Sequence, residues 1–490
     1  MALDVALYNS TITISLSDDT NLGIDWGGAL GMPNAQRIYG EAWGRGYSPL
    51  AAIDYRERTI ELSIQVKASS HDVWISTFRQ IEAMLLDVRT YYTTNGTQGD
   101  RAVLSVQLNG QTYPLEFDVL DGECSADDIF VPTMQSTTAP RITSVPLTLR
   151  VKPFGRTQQL SKSVSGTIVN GGGVTATNPG YSIGTPNGDV LTPARVTLQA
   201  TTTWHRAMIG KKTQVTTAQF PFAVNMETGT GVGYTVTPSS GTNLSSTHAA
   251  VAGAHNGAVG RMEWSSSIST AVQPWRTVEL TGDFEVWRGD YRVYARIDVL
   301  TGKVDYYQFS YGGSSGDAIV LPGSTNTTAV LNNFLVDLGV ITLPPRFGPL
   351  DTPMSSVKMR LSGSILKDQG GGATTTGHID LDCLYFMPIN EGFTDVLLSN
   401  SATALSQLVV DKLQPYPQAY LLDSSGNLTS AQQSVRPFTN TFFDVTPNVN
   451  NIFYALVTTT SGSMDHNLAD TYTLTVEHYP QYVLGRTSAS

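Results

Sequence analysis

The sequence predicts a mainly β protein, in which an N-terminal antiparallel β-sandwich with one flanking helix is followed by jelly-roll β-sandwich domains. Apolar and polar residues alternate along many short segments, and clusters of Gly, Asn, Asp and Ser separate those segments as they separate strands. One long stretch has the period of an amphipathic helix instead. Because 490 residues exceed one ordinary core, we expect about three domains. We place them at residues 1–157, 158–390 and 391–490.

The first segment predicts strands that pack against a single helix. From Thr59 to Lys67 every second residue is apolar, which is the pattern of a half-buried strand. The next stretch opens with capping-box spacing at Ser69 and Asp72. It then carries an apolar stripe at helical spacing, formed by Trp74, Phe78, Ile81, Leu85 and Val88. Further strands are predicted from Ala102 to Leu108, Thr112 to Leu120 and Arg141 to Val151, with a tight turn at Asn109-Gly110 between the first two.

The remaining sequence predicts a loop-rich boundary and then more strands. Residues Gln158 to Gly188 are rich in Ser, Thr and Gly and are predicted to form a linker or loose strands. Between Pro193 and Pro388 the alternation predicts about eight strands and no helix, as in a jelly-roll sandwich. A short helix is predicted from Asp395 to Leu413, followed by strands. The last of these, Thr471 to His478, could return to complete the sheet of the first domain.

The composition excludes several classes of function. Charged residues make up only 14% of the chain and the net charge is −11, so no basic surface is available for nucleic acid. Cys124 and Cys383 lie far apart and form neither a disulfide framework nor a CxxC metal site. No stretch approaches the ~20 apolar residues that would span a membrane, and the N-terminus lacks the pattern of a signal peptide. An extracellular type of composition without an export signal fits a virion component that is made in the host cytoplasm and released by lysis.

Motifs for catalysis are missing from the sequence, so we expect no enzymatic activity. The seven histidines show no HxH or HExxH spacing, and there is no GxSxG elbow or P-loop. Asp380 and Asp382 lie on one face of a predicted strand, opposite Ile379, Leu381 and Cys383. Two carboxylates serve a glycoside hydrolase only when they face each other across a cleft. With loop carbonyls, these two could instead bind a structural calcium ion. We expect no other cofactor.

One aromatic residue of the predicted jelly roll is a candidate for binding glycans. Exposed aromatic faces stack on sugar rings, although most aromatic residues of this region are expected in the core. Trp287 precedes Arg288-Gly289-Asp290 at a predicted turn, and we therefore expect its side chain to be exposed. The Arg-Gly-Asp triplet occurs too readily by chance to indicate integrin binding.

Two parts of the sequence resemble known families. The strand RTIELSIQV, the capped helix SSHDVWISTFRQIEAMLLDV and the strand PLTLRVKPFGR resemble the tail-tube-like, ring-forming domain of phage distal tail (baseplate hub) proteins. The segments GDYRVYARIDV, FLVDLGVITLP and GHIDLDCLYFMP resemble the galactose-binding-like, carbohydrate-binding modules inserted in enlarged members of that family. The first resemblance covers about a third of the chain, and the second somewhat less than half. The module and the final segment together are larger than the outer domain usual in that family.

The resemblance implies a structural role in a virion. It implies a hexameric ring at the tail tip or baseplate, contacts with the tail tube and other tail-tip proteins, and outward domains without catalytic residues. Two alternatives remain open: an adhesin that binds host-surface glycans, and a tailspike-like glycan hydrolase. The helix-bearing first domain favours the structural role, because a free-standing adhesin does not need it.

Overall fold

The structure, a computed structural model, consists mainly of β-strands. It describes residues 4–17, 22–25, 33, 35–39, 50–68, 71–107, 113–124, 141–171, 180–214, 222–227, 229–231, 233–238, 244–251, 254–264, 273–281, 287–301, 303–312, 319–321, 324–325, 331–343, 356–366, 377–414, 417–429, 436–437, 442–458 and 468–483. No helix in these ranges is long and apolar enough to cross a membrane. The prediction of a mainly β fold with sandwich domains and a flanking helix is confirmed.

The elements are numbered along the chain. Up to residue 157 they are β1 (Asp4–Tyr8), β2 (Thr13–Ser15), β3 (Leu22–Asp25), β4 (Ala35–Tyr39), β5 (Leu50–Tyr55), β6 (Arg58–Ala68), α1 (His71–Thr93), β7 (Ala102–Gln107), β8 (Leu115–Cys124), β9 (Arg141–Val151) and β10 (Gly155–Thr157). There follow β11 (Ser161–Val164), β12 (Ile168–Val169), β13 (Tyr181–Ser182), β14 (Thr192–Ala200) and β15 (Trp204–Gln214).

The next strands, from residue 223 to residue 388, are β16 (Ala223–Asn225), β17 (Gly229–Gly231), β18 (Tyr234–Pro238), β19 (Leu244–Ala250), β20 (Ala258–Trp264), β21 (Gln273–Thr281), β22 (Gly289–Thr301), β23 (Lys303–Tyr311), β24 (Ile319–Val320), β25 (Ser324–Thr325), β26 (Leu331–Leu343), β27 (Ser356–Leu366) and β28 (Gly377–Pro388). The last strands are β29 (Phe393–Ala402), β30 (Gln407–Asp411), β31 (Gln418–Leu422), β32 (Arg436–Pro437), β33 (Asp444–Val445), β34 (Asn450–Thr458), β35 (Thr471–His478) and β36 (Gln481–Tyr482).

The chain divides into two compact units, each assembled from separated segments. Unit 1 comprises Met1–Ser161, Asn187–Thr192 and His478–Ser490. Unit 2 comprises Lys162–Pro186 and Pro193–Glu477. This division differs from the three consecutive domains expected from the sequence, because strands that are distant in sequence pair with one another.

Unit 1 is an antiparallel sheet with the helix packed on it. Sheet 1 has the order β2-β1-β7-β8-β9-β6-β3, and β10 pairs with both β8 and β36. The alternation of β6 buries Ile60, Leu62 and Ile64, and their cross-strand partners on β9 are buried as well. The helical stripe lies in the same core through Phe78, Ile81, Met84, Leu85 and Val88. The side chain of Trp74 and the turn at Asn109-Gly110 lie outside the described residues.

Unit 2 contains a base sandwich into which a second sandwich is inserted. The base sandwich consists of sheet 2, with the order β11-β35-β14-β30-β31, and sheet 3, with the order β13-β34-β15-β29-β32. The inserted sandwich, between β15 and β29, consists of sheet 4 (β19-β20-β28-β22-β26) and sheet 5 (β17-β18-β21-β27-β23-β24). Its longer strands, β21, β22, β23, β26, β27 and β28, lie in the segment for which the alternation predicts strands.

Sheet 3 is covered on both of its faces. Residues of β15, β29 and β34 with one parity share a core with sheet 2, among them Ala207, Val396 and Val457. Residues of the opposite parity, among them Met208 and Leu456, share a core with the inserted sandwich. One face of sheet 3 therefore belongs to the base sandwich, and its other face packs against the inserted sandwich.

Three expectations for the second half of the chain differ from the structure. The helix predicted from Asp395 to Leu413 is wrong, because this segment forms β29 and β30. Residues 391–490 do not fold separately, since β29, β30, β34 and β35 pair with β13, β14 and β15. The strand that joins the sheet of unit 1 is β36, whereas β35, expected there, pairs in sheet 2.

Candidate functional sites and assembly edges

Trp287, the expected glycan contact, is buried. Its side chain is 2% exposed and belongs to the core of the inserted sandwich. The hydroxyl of Tyr291 donates to the Trp287 carbonyl oxygen at 2.7 Å. The expected exposure is therefore wrong, and this burial does not support glycan binding through Trp287. Trp287 precedes β22, and Gly289, with its positive φ, separates it from the strand, so strand alternation gave no local signal for its inward side chain.

The Arg-Gly-Asp triplet after Trp287 opens β22. The Asp290 carboxylate accepts hydrogen bonds from the Thr342 hydroxyl at 2.7 Å and from the Asn390 side-chain amide at 3.0 Å. Gly289 has a φ of +147°, and a Cβ there would lie 2.9 Å from the Asn390 side-chain oxygen. These contacts hold the carboxylate against neighbouring residues of the fold.

Asp380 and Asp382, the candidate calcium ligands, are buried partners of arginines. Asp380 accepts two hydrogen bonds from Arg261, at 2.7 and 2.8 Å. Asp382 forms an ion pair with Arg296 and accepts the backbone N–H of His255 at 2.8 Å. Burial raises the pKa of Asp382 to about 6, although Arg296 acts in the opposite direction. A calcium ion would have to displace a guanidinium from either carboxylate.

Histidine and carboxylate side chains do not assemble into a metal or catalytic cluster in the part of the chain that the structure describes. His205, His255 and His478 are buried separately, and burial lowers the pKa of each. Neither of the carboxylates considered for glycoside hydrolysis is open to solvent. The described residues thus offer no arrangement that supports the hydrolase alternative.

A polar network on strand β8 was not anticipated from the sequence. Asp118 forms ion pairs with Lys152 at 2.8 Å, Arg101 at 3.1 Å and Arg156 at 3.3 Å. Burial alone would raise the pKa of Asp118, but these three cations lower it to about 2. Glu116, two positions earlier on the same face of β8, forms an ion pair with Arg156 at 2.8 Å. The signal was the pair of acidic residues between the buried Leu115, Phe117 and Val119.

The edges of sheet 1 are candidate assembly surfaces. Strand β2 pairs with β1, and β3 pairs with β6; within the described residues neither has a second neighbour. The Leu16 N–H donates to the Val5 carbonyl of β1 at 2.7 Å. Because N–H groups alternate in direction along a strand, Thr13 and Ser15 direct theirs away from β1. Such an edge can accept another strand.

Comparison with known proteins gives similarities to phage hub and baseplate structures. No family model and no curated protein matches the chain. The SPP1 Dit (gp 19.1) protein, described as a paradigm of the hub adsorption apparatus in phages that infect Gram-positive bacteria, is 7% identical with a TM-score of 0.31, over 97% of this chain and 98% of that one. A chain of the phage P2 baseplate in its activated conformation with Ca is 7% identical with a TM-score of 0.24, over 74% of this chain and 98% of that one. The VP2 subviral particle of infectious bursal disease virus gives a TM-score of 0.17 and 8% identity, over 66% of this chain and 80% of that one. These TM-scores are too low to establish a common function.

Proposed function

We propose that this chain is a non-enzymatic structural component of a bacteriophage tail, which forms a hexameric ring at the tail tip through unit 1. In this role unit 1 contacts the tail tube and other tail-tip proteins, and unit 2 is an outward β-sandwich domain. The observation that carries the proposal is the sheet-and-helix fold of unit 1, in which β2 and β3 each pair on one side only among the described residues.

Pairing of β2 in one copy with β3 in the next gives a head-to-tail contact. Head-to-tail contacts close into rings when the rotation between copies is suitable. Closure also removes the exposed edges, which otherwise promote aggregation. The low charged fraction of the chain, 14%, limits repulsion between identical copies. Binding of host glycans, in contrast, would require a contact residue other than Trp287, because the Trp287 side chain is buried.

Light scattering after size exclusion, combined with negative-stain imaging of the full chain, tests this function. We expect rings with six subunits at micromolar protein concentration. Thr13→Pro removes one outward N–H of β2, so this variant should elute as a monomer with an unchanged melting temperature. Thr13→Val keeps the N–H and the strand preference, and it should still form rings.

The two parts of the proposal fail separately. A wild-type chain that stays monomeric over the whole concentration range would contradict the ring. If Thr13→Pro still formed rings, ring formation would stand, but the pairing of copies through β2 would be refuted.

A further inference from the structure

The segment from Tyr479 to Val483, called the strap here, inserts into unit 1 between two other segments of that unit. On one side β36 pairs with β10, and the Thr157 N–H donates to the Pro480 carbonyl at 3.0 Å. On the other side the Asp189 N–H donates to the Gln481 carbonyl at 2.9 Å. The strap is therefore bonded through its backbone on both sides, as a strand within a sheet is.

The side chains of the strap also have dedicated partners. Tyr482 lies in the hydrophobic core of unit 1. Its cross-strand partner is Gly155, where a Cβ would lie 2.9 Å from the Phe117 ring. The ring of Tyr479 lies 4.6 Å from the Arg156 guanidinium, which is a cation–π contact. The strap thus contributes one buried aromatic ring and one that stacks on a cation.

A buried cation of unit 1 depends on the strap. Arg58 is 0% exposed, and its Nη2 donates to the Val483 carbonyl at 2.8 Å. Its Nε has no hydrogen-bond partner in the described residues. A buried guanidinium that lost its carbonyl partner would have to be hydrated or leave the core. Without the strap, unit 1 would therefore retain a groove with an unsatisfied cation at its base.

We propose that unit 1 contains a binding site for an extended peptide segment, which the strap occupies in this structure. The ligand this groove takes has an aromatic residue at the Tyr482 position and a carbonyl that reaches Arg58. Backbone pairing supplies affinity and the aromatic pocket supplies selectivity, as in other cases of strand addition. When the groove is empty, sheet 1 lacks β36 and Arg58 lacks its carbonyl acceptor. This inference does not depend on ring formation.

A chain that ends at His478, the last residue of β35, together with a fluorescent synthetic peptide of residues 479–490, tests the site in trans. The cores of unit 2 contain no residue of the strap, so unit 2 should remain folded in this shortened chain. We expect saturable binding by fluorescence anisotropy and a rise in the melting temperature of unit 1. A peptide with Tyr482→Ser should bind at least about tenfold more weakly, because burial of the ring is lost. Equal binding of the two peptides, or no binding, would overturn the proposal.

The full chain provides a second test that does not depend on the stability of the shortened one. Tyr482→Ser in the full chain should speed hydrogen exchange of the Thr157 and Asp189 amides by about tenfold or more, since their acceptors lie in the strap. Exchange in sheets 4 and 5 of unit 2 should stay unchanged. Unaltered protection of these two amides would show that the strap is not held as a ligand of the groove.

Discussion

Asp382 and His255 are adjacent in the inserted sandwich, and burial shifts their pKa values in opposite directions. The pKa of Asp382 rises to about 6 and that of His255 falls to about 4. With unfolded values of roughly 3.9 and 6.5, the Asp382 contribution to stability is lost as pH rises through 6. The His255 contribution is lost as pH falls from 6.5 towards 4. The two effects oppose each other over nearly the same range, so this pair should contribute little to the pH dependence of the wild-type stability there.

His255→Gln should expose the contribution of Asp382. Relative to the wild type, unit 2 of this variant should gain stability as pH falls from 6 to 4, by about 2–3 kcal/mol on a scale of 1.36 kcal/mol per pKa unit. The backbone N–H that donates to Asp382 is retained. Calorimetry of both proteins across this pH range measures the difference. If the free energy of unfolding changed with pH in the same way in both proteins, the lowered pKa of His255 would be contradicted.

Calcium provides a test of whether Asp380 and Asp382 bind a metal ion. Since arginines already neutralise Asp380 and Asp382, neither removal of calcium with EDTA nor its addition at millimolar concentration should shift the melting temperature of unit 2. A calcium-dependent rise that disappears in Asp380→Asn would restore the calcium site considered from the sequence.

Helix α1 contains two adjacent leucines in opposite environments. Leu85 is 3% exposed, whereas Leu86 is 62% exposed. Leu85→Asp places a carboxylate in the core, which costs several kcal/mol against a total stability of about 5–15 kcal/mol. We expect the calorimetric transition of unit 1 to disappear and that of unit 2 to remain.

Leu86→Asp is the matched control for the helix. It makes the same chemical change one position further along, on the solvent side, so its effect should stay within about 0.5 kcal/mol. Similar losses of stability in Leu85→Asp and Leu86→Asp would mean that the apolar stripe of α1 does not define its buried face.

Elements with one buried face were readable from the sequence, and elements with two were not. The alternation of β6 and the stripe of α1 each reflect one apolar face, so both could be predicted. Strand β29 is buried on both sides of sheet 3, and its run from Phe393 to Leu398 has no clean period of two. Periodicity alone cannot distinguish such a run from a helix, which explains the incorrect helix. Trp287 was misplaced for a different reason, since the turn signal after it gives no information on the direction of the side chain that precedes the turn.

The position of sheet 3 between sheet 2 and the inserted sandwich predicts how unit 2 unfolds. The Phe222 and Tyr454 rings stack with centroids 4.7 Å apart, one from each sandwich. Arg206 and Asp395 form a buried ion pair on the same sheet, with Nε to Oδ1 at 2.7 Å. The inserted sandwich shares its core with one face of sheet 3, so unfolding of either sandwich exposes apolar side chains such as Met208 and Leu456, and unit 2 should melt in one transition.

Gly210→Ala tests this cooperativity. The added Cβ would lie 2.5 Å from the Pro388 carbonyl and 2.7 Å from the Met387 sulfur, so it acts where β15 meets the inserted sandwich. We expect the single calorimetric transition of unit 2 to move to lower temperature without splitting. Separate transitions for the base and inserted sandwiches would show that they fold independently.

The connectivity of these sheets could not be predicted, because pairing between strands distant in sequence leaves no local signal. The alternation of Thr471 to His478 indicates a strand but not whether it joins sheet 1 or sheet 2. The candidate site was limited in the same way: Asp380 and Asp382 were correctly placed on a strand, but the arginines beside them come from β20 and β22.

The pairing of β11 with β35 in sheet 2 brings the two ends of unit 2 together, and this affects the order of folding. Arg58 and Val483 are 425 positions apart, a separation that makes direct encounter in an unfolded chain slow. Lys162 and Glu477, at the two boundaries of unit 2, lie 3.4 Å apart from Nζ to Oε1. Once unit 2 has folded, residues 162–477 act as a short connection between the two flanking parts of unit 1, because their ends already lie together. The chain entropy that is lost on closing this segment has then been lost during the folding of unit 2. Unit 2 should therefore fold first. Strands β10 and β36, which lie within a few residues of these boundaries, should then pair at the rate of a local hairpin, before the more distant Arg58 reaches Val483.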